Sequence, residues 1–118
     1  MASYKDLIAW QKAIALGNLI YDVTETFPQK EMYGLTNQLR RAAVSVPSNI
    51  AEGQTHFTKP DFKRFLRTAK GSLAEIETQL IIAGNRKYLL KETLEAALKQ
   101  VDELSRIIAG LIASLGDK

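Results

Sequence analysis

The chain contains no cysteine, so it can form no disulfide and offers no thiolate as nucleophile or metal ligand. Its single histidine, His56, has no nucleophile beside it in sequence and reads as a solvated loop residue, not a general base. Glycine is sparse, and nothing resembles the glycine-rich phosphate loop of nucleotide-binding proteins. A metal site needs several His, Cys or clustered carboxylates. Glu75 and Glu77 lie two apart, so on a helix they diverge and read as ion-pair partners. These absences leave no catalytic residue, no metal and no cofactor to nominate, and the chain is expected to be non-enzymatic. Long apolar runs are missing too. None approaches the roughly 20 residues that span a bilayer, and Asp6, Gln11 and Lys12 break up any signal-like run near the start. The expectation is a cytoplasmic protein with no membrane partner.

Proline occurs only at Pro28, Pro47 and Pro60. The long stretches between, rich in Ala, Leu, Lys, Glu and Gln, favour helix. A length of 118 residues, 46% of them apolar and 25% charged, fits one globular domain over 1–118.

The chain is organised around Leu39 to Gly53. Leu39, Ala42, Ala43, Val46 and Ile50 recur at helical steps. Pro47 interrupts this pattern: proline removes a helical hydrogen bond and clashes with the preceding turn, at about 3 kcal/mol. A central, kinked helix held by its neighbours is therefore expected, with Gly53 as a left-handed stop. The Ala43 carbonyl loses its donor at Pro47. The neighbouring hydroxyls, Asn49 or water are expected to satisfy it, with a ligand site over Ser45, Ser48 and Asn49 as the alternative.

Three more helices flank this one. The first is predicted from a Ser3 cap with Asp6 in the capping-box position to about Glu25, closed by Phe27-Pro28. It carries two apolar rows, one of Leu7, Trp10, Ile14 and Tyr21, the other of Leu16, Ile20, Val23 and Phe27. The third is predicted to start at Thr58, with Pro60 in its first turn, and to begin its end at Gly84-Asn85. Its seam runs Phe62, Leu66, Ala69, Leu73, Ile76, Leu80 and Ala83. The fourth is predicted over about Lys91 to Leu115, with Gly116 ending it; Ile107 and Ile112 lie off its seam. Four helices with short connections predict an all-α, antiparallel up-down-up-down four-helix bundle.

That pairing sets Arg41 beside Gly71, with Ser72 and Glu75 within a turn. Glycine and serine there predict a close helix approach, and an ion pair is expected between Arg41 and Glu75, with Arg40 as the other candidate cation. The surplus apolar residues of the first and fourth helices, Leu16, Ile20, Val23, Ile107 and Ile112, are expected to form a self-association face. Such a face, meeting a different face of the next copy, closes into a ring.

Basic charge concentrates on the third helix. Lys59, Lys63, Arg67 and Lys70 follow steps of four, four and three, and Arg64 flanks them. Against Asp61 alone this segment nets +4, so the rest of a +3 chain nets −1. The stripe is a candidate surface for RNA or DNA phosphates, with low sequence specificity. The competing reading is a solvated outer face on a structural or protein-interaction scaffold.

The run Leu39-Arg-Arg-Ala-Ala-Val-Ser-Val-Pro-Ser-Asn-Ile-Ala-Glu-Gly53 resembles the signature of four-helix-bundle proteins encoded in 23S rRNA intervening sequences. Trp10-Gln-Lys-Ala13, Phe27-Pro28 with Tyr33-Gly-Leu35, and Gly71-Ser-Leu73 with Glu75 and Glu77 agree with it. The resemblance covers nearly the whole chain. It implies a left-handed bundle and a ring-like homopentamer. A distant branch implies a further partner class: accessory proteins of diversity-generating retroelements bind nucleic acid and a reverse transcriptase. Members of the family often carry an arginine soon after Ala-Glu-Gly, whereas Gln54-Thr55-His56 follows here, so the resemblance implies no basic loop.

Overall fold

A computed structural model describes residues 3–56 and 58–116. The Ser3 capping box forms, but on one 3-10 turn, Tyr4–Asp6. Ser3 Oγ accepts from the Lys5 amide and the Ser3 amide donates to Asp6 Oδ2, both at 3.1 Å. Leu7 then turns extended, so helix α1 is shorter than expected, Ile8–Thr24. Helix α2 spans Leu35–Gln54 and continues through Pro47. Thr58 Oγ1 accepts from the Asp61 amide at 3.2 Å and starts α3, Lys59–Asn85, with Pro60 in the first turn. The end of α3 is a Schellman turn: the Tyr88 amide bonds the Ala83 carbonyl and the Lys87 amide that of Gly84. Lys87, at φ 64°, takes the left-handed position that glycine usually fills. Helix α4 is Lys91–Ser114, and Gly116 beyond it has φ 76°.

Each helix packs on the next, and α4 returns to α1. Along α2 and α3 the partners run in opposite order: Gly53 lies on Phe62 and Phe65, Ser45 on Ser72, Gln38 on Gln79. The body measures 44 × 23 × 21 Å. Its axis is filled by one apolar cluster from all four helices, including Leu16, Ile20, Leu39, Ile50, Leu73 and Leu104. Each such side chain contributes about 1.5–3 kcal/mol by leaving water. No helix among the described residues is long and apolar enough to cross a membrane.

The packing corrects three expectations. Leu16, Ile20 and Val23 are core residues, not a surplus face, because α1 must serve both α2 and α4. Ile107 and Ile112 are half-buried against the same core. The outward row of α1 is instead Ile14 and Tyr21, with Trp10 half-buried beside them. Gly53 does not stop α2; its φ is not positive. Its role is steric, since a Cβ there would lie 2.6 Å from Phe65 Cβ. Gly71, by contrast, has open space where a Cβ would go, so the close approach expected there is made by Ser72 and not by Gly71. Ser72 is buried and donates to Ser45 Oγ at 2.9 Å.

Candidate interaction surfaces

The expected basic stripe is broken. Lys63 is only 8% exposed: its stem lies along the bundle, and Nζ donates to the Gly116 carbonyl at the end of α4. A cation there answers the negative end of that helix. Arg64 is drawn back to its own helix start, 3.8 Å from Asp61 Oδ1 and 4.4 Å above the Phe65 ring. His56 joins the same cluster, with Nδ1 3.6 Å from Asp61 Oδ2 and its ring 4.8 Å from that of Phe65. Lys70 borders a groove whose other walls include Glu77 and Asp102. Lys59 and Arg67 remain exposed and outside the ion pairs of the described residues.

Arg41 and Glu75 line one polar groove between α2 and α3, together with Asn37, Gln38 and Gln79. They do not form the expected ion pair: both are exposed, and neither belongs to an ion pair among the described residues. An exposed pair contributes about 0–1 kcal/mol, too little to fix two long side chains. Arg40 turns the other way. Its Nε donates to Thr24 Oγ1 at 2.8 Å, and its guanidinium lies 4.8 Å over the Tyr21 ring.

Pro47 opens onto a second groove, between α1 and α2, of about 280 Å³. Trp10, Ile14 and Tyr21 form one wall, Val44 and Pro47 the other. Proline cannot donate to the Ala43 carbonyl, and that oxygen lies 3.8 Å from where a Gly17 Cβ would be. Asn49 does not serve it, as its Nδ2 bonds Ser45 O at 2.8 Å and Ser45 Oγ at 2.9 Å. Ile14, Tyr21 and Val44 are 38%, 43% and 47% exposed, an apolar surface shared by two helices.

A third feature lies on the connection between α1 and α2. This connection contains a 3-10 turn, Gln29–Glu31, anchored by one carboxylate. Glu31 Oε1 accepts from the Leu35 amide at 3.1 Å, and Oε2 accepts from the Tyr88 hydroxyl at 2.8 Å. The backbone bond, then the tyrosine bond, hold its carboxyl below the usual glutamate range. The Gly34 amide bonds back to the Glu31 carbonyl at 2.9 Å. Between these ties stands Tyr33, 94% exposed. The sequence signal for the anchor itself was Glu31, four residues ahead of the first residue of α2.

This architecture matches a known one. A crystal structure of a protein of unknown function from the S23 ribosomal protein family of Bacteroides thetaiotaomicron superposes with a TM-score of 0.84. The match covers 92% of this chain and 98% of that one at 20% identity, which shows a shared fold. No curated protein sequence matches. The family model described as 23S rRNA-intervening sequence protein matches residues 5–110, which include the Pro47 helix, the Glu31 anchor and both walls of the α1–α2 groove. The chain belongs to the 23S rRNA-intervening sequence protein family.

Proposed function

We propose that the protein is a non-enzymatic scaffold that assembles from copies of itself, as a ring of five by the family resemblance. The observation that carries this is apolar exposure on two different faces. One is the α1–α2 groove with Ile14, Tyr21 and Val44; the other lies around Leu90, 70% exposed beside a groove between α1 and α4. Exposed apolar patches mark partner sites. Two unlike patches suit head-to-tail contact between identical copies, whereas one foreign partner needs one patch. Light scattering tests it with Val44→Glu and Tyr21→Glu. Both positions are on the surface, so the variants should keep their helix content while the assembled mass falls. Variants that keep the parent mass would remove the α1–α2 face from the account.

A second reading, binding of RNA or DNA, draws on exposed Lys59 and Arg67 and on Lys70, three cations that a ring would repeat around its circumference. The family's description, with its 23S rRNA, gives RNA as the first polymer to try. Binding by such a strip should weaken steeply with salt and be lost on Arg67→Glu. No binding at low salt would leave the scaffold alone.

A further inference from the structure

We infer that Tyr33 is the plug of the contact between copies and that the groove between α1 and α4 on the next copy is its socket. The inference rests on the self-assembly reading and names its contact. Tyr33 is 94% exposed on a connection that Glu31 ties to both the start of α2 and Tyr88. An aromatic side chain buries about 150–250 Å² when it is covered, and it loses little freedom when its backbone is already fixed. A fully exposed tyrosine on an anchored turn therefore has the character of an interface hot spot. Met32, 39% exposed, stands beside it.

The socket is an apolar groove of about 370 Å³. Leu19 and Val23 of α1 and Leu89 and Leu90 before α4 line it, with Asp22 and Thr93 supplying polar edges. Plug and socket lie at the same end of the bundle. The Tyr88–Glu31 hydrogen bond and the Phe27–Tyr88 ring contact, at 5.5 Å, join the two connections there. A ring axis along the bundle would set the copies at one height, so that features at one end meet. Charge fits as well. Lys30 flanks the plug and Asp22 flanks the socket; both are exposed, and neither is in an ion pair among the described residues. The α1–α2 groove has no charged residue in its lining and lies farther from this end.

The chain has no cysteine, so one introduced thiol per copy reports on contacts cleanly. Met32→Cys chains and isotope-labelled Thr93→Cys chains, made separately, mixed and mildly oxidised, should yield mixed 32–93 conjugates well above either self-conjugate. Tyr33→Ala should weaken assembly at least about tenfold with helix content unchanged, and Tyr33→Phe should recover most of it. A parent protein that assembles, with no excess of mixed conjugates, would overturn the plug and leave self-assembly standing. Dominant 32–32 conjugates would also overturn it, since they place like against like. A parent protein with the mass of one chain would remove both readings.

Discussion

Two glycine-to-alanine changes on facing helices should move stability in opposite directions. Gly53 lies where α2 meets α3 near their connection. A Cβ added there would stand 2.6 Å from Phe65 Cβ and 3.0 Å from Phe62 Cδ1. Phe65 Cβ is fixed to the α3 backbone and cannot swing aside, so relief to contact distance requires the helices to part by about 1 Å. Overpacking of this kind costs about 1–3 kcal/mol. Alanine returns about 0.5–1 kcal/mol through its better helix propensity. Gly53→Ala should therefore lose about 0–2.5 kcal/mol. Gly71 sits inside α3 with no heavy atom within 4 Å of its would-be Cβ. Gly71→Ala should keep only the propensity term and gain about 0.5–1 kcal/mol. The assay is urea unfolding at one fixed protein concentration, because the proposed assembly would make apparent stability concentration-dependent. The midpoints should bracket the parent with similar slopes. A Gly53→Ala midpoint as high as that of Gly71→Ala would refute the close α2–α3 approach.

Glu31 predicts an acid dependence. Its folded pKa lies below the ordinary value of 4.5, so its contribution is present above that value and is lost as pH falls through the folded pKa. The stability advantage of the parent over Glu31→Gln, followed by urea unfolding across pH, should shrink below pH 4.5; an advantage that is flat across this range would contradict the anchor. Lys63→Ala should cost about 1–3 kcal/mol through loss of its charged hydrogen bond to Gly116, while leaving any RNA affinity in place, unlike Arg67→Glu. Thermal unfolding and a binding titration separate the two. Ser72→Ala and Ser45→Ala should each cost about 1 kcal/mol, and together less than the sum, with a coupling of about 0.5–1 kcal/mol in a double-mutant cycle.

Helix identity was legible because its signals are local. Thr58 with Pro60, the Phe62-to-Ala83 seam, Gly116 and Phe27-Pro28 each act within a turn or two of chain, and they set ends within a few residues of those observed. Faces were harder. Both rows of α1 have helical spacing, and only the positions of α2 and α4 decide that Leu16, Ile20 and Val23 turn inward while Ile14 and Tyr21 turn out. The basic stripe failed for a related reason: spacing places Lys63 in line with Lys59 and Arg67, but a long stem lets its ammonium reach the end of α4. Gly53 read as a helix stop because glycine serves two purposes, and the neighbour that reveals the steric one belongs to another helix. Antiparallel pairing put Arg41 and Glu75 within a turn of each other, and they line one groove, yet shared location does not close a solvent-exposed pair. Tyr33 stood in the Tyr33-Gly-Leu35 piece of the family pattern, but its exposure was not legible, since it follows from the ties that Glu31 makes around it.

Self-assembly is the claim on which the surfaces, the plug and the repeated basic strip all depend. Native mass spectrometry of the intact chain at micromolar concentration in volatile buffer measures it most directly, because the charge-state series returns an integer number of 13.1 kDa chains. The expected result is a ring of several copies, five by the family resemblance, that dissociates on Tyr21→Glu. A single-chain mass would contradict it outright, and a dimer would contradict the head-to-tail arrangement.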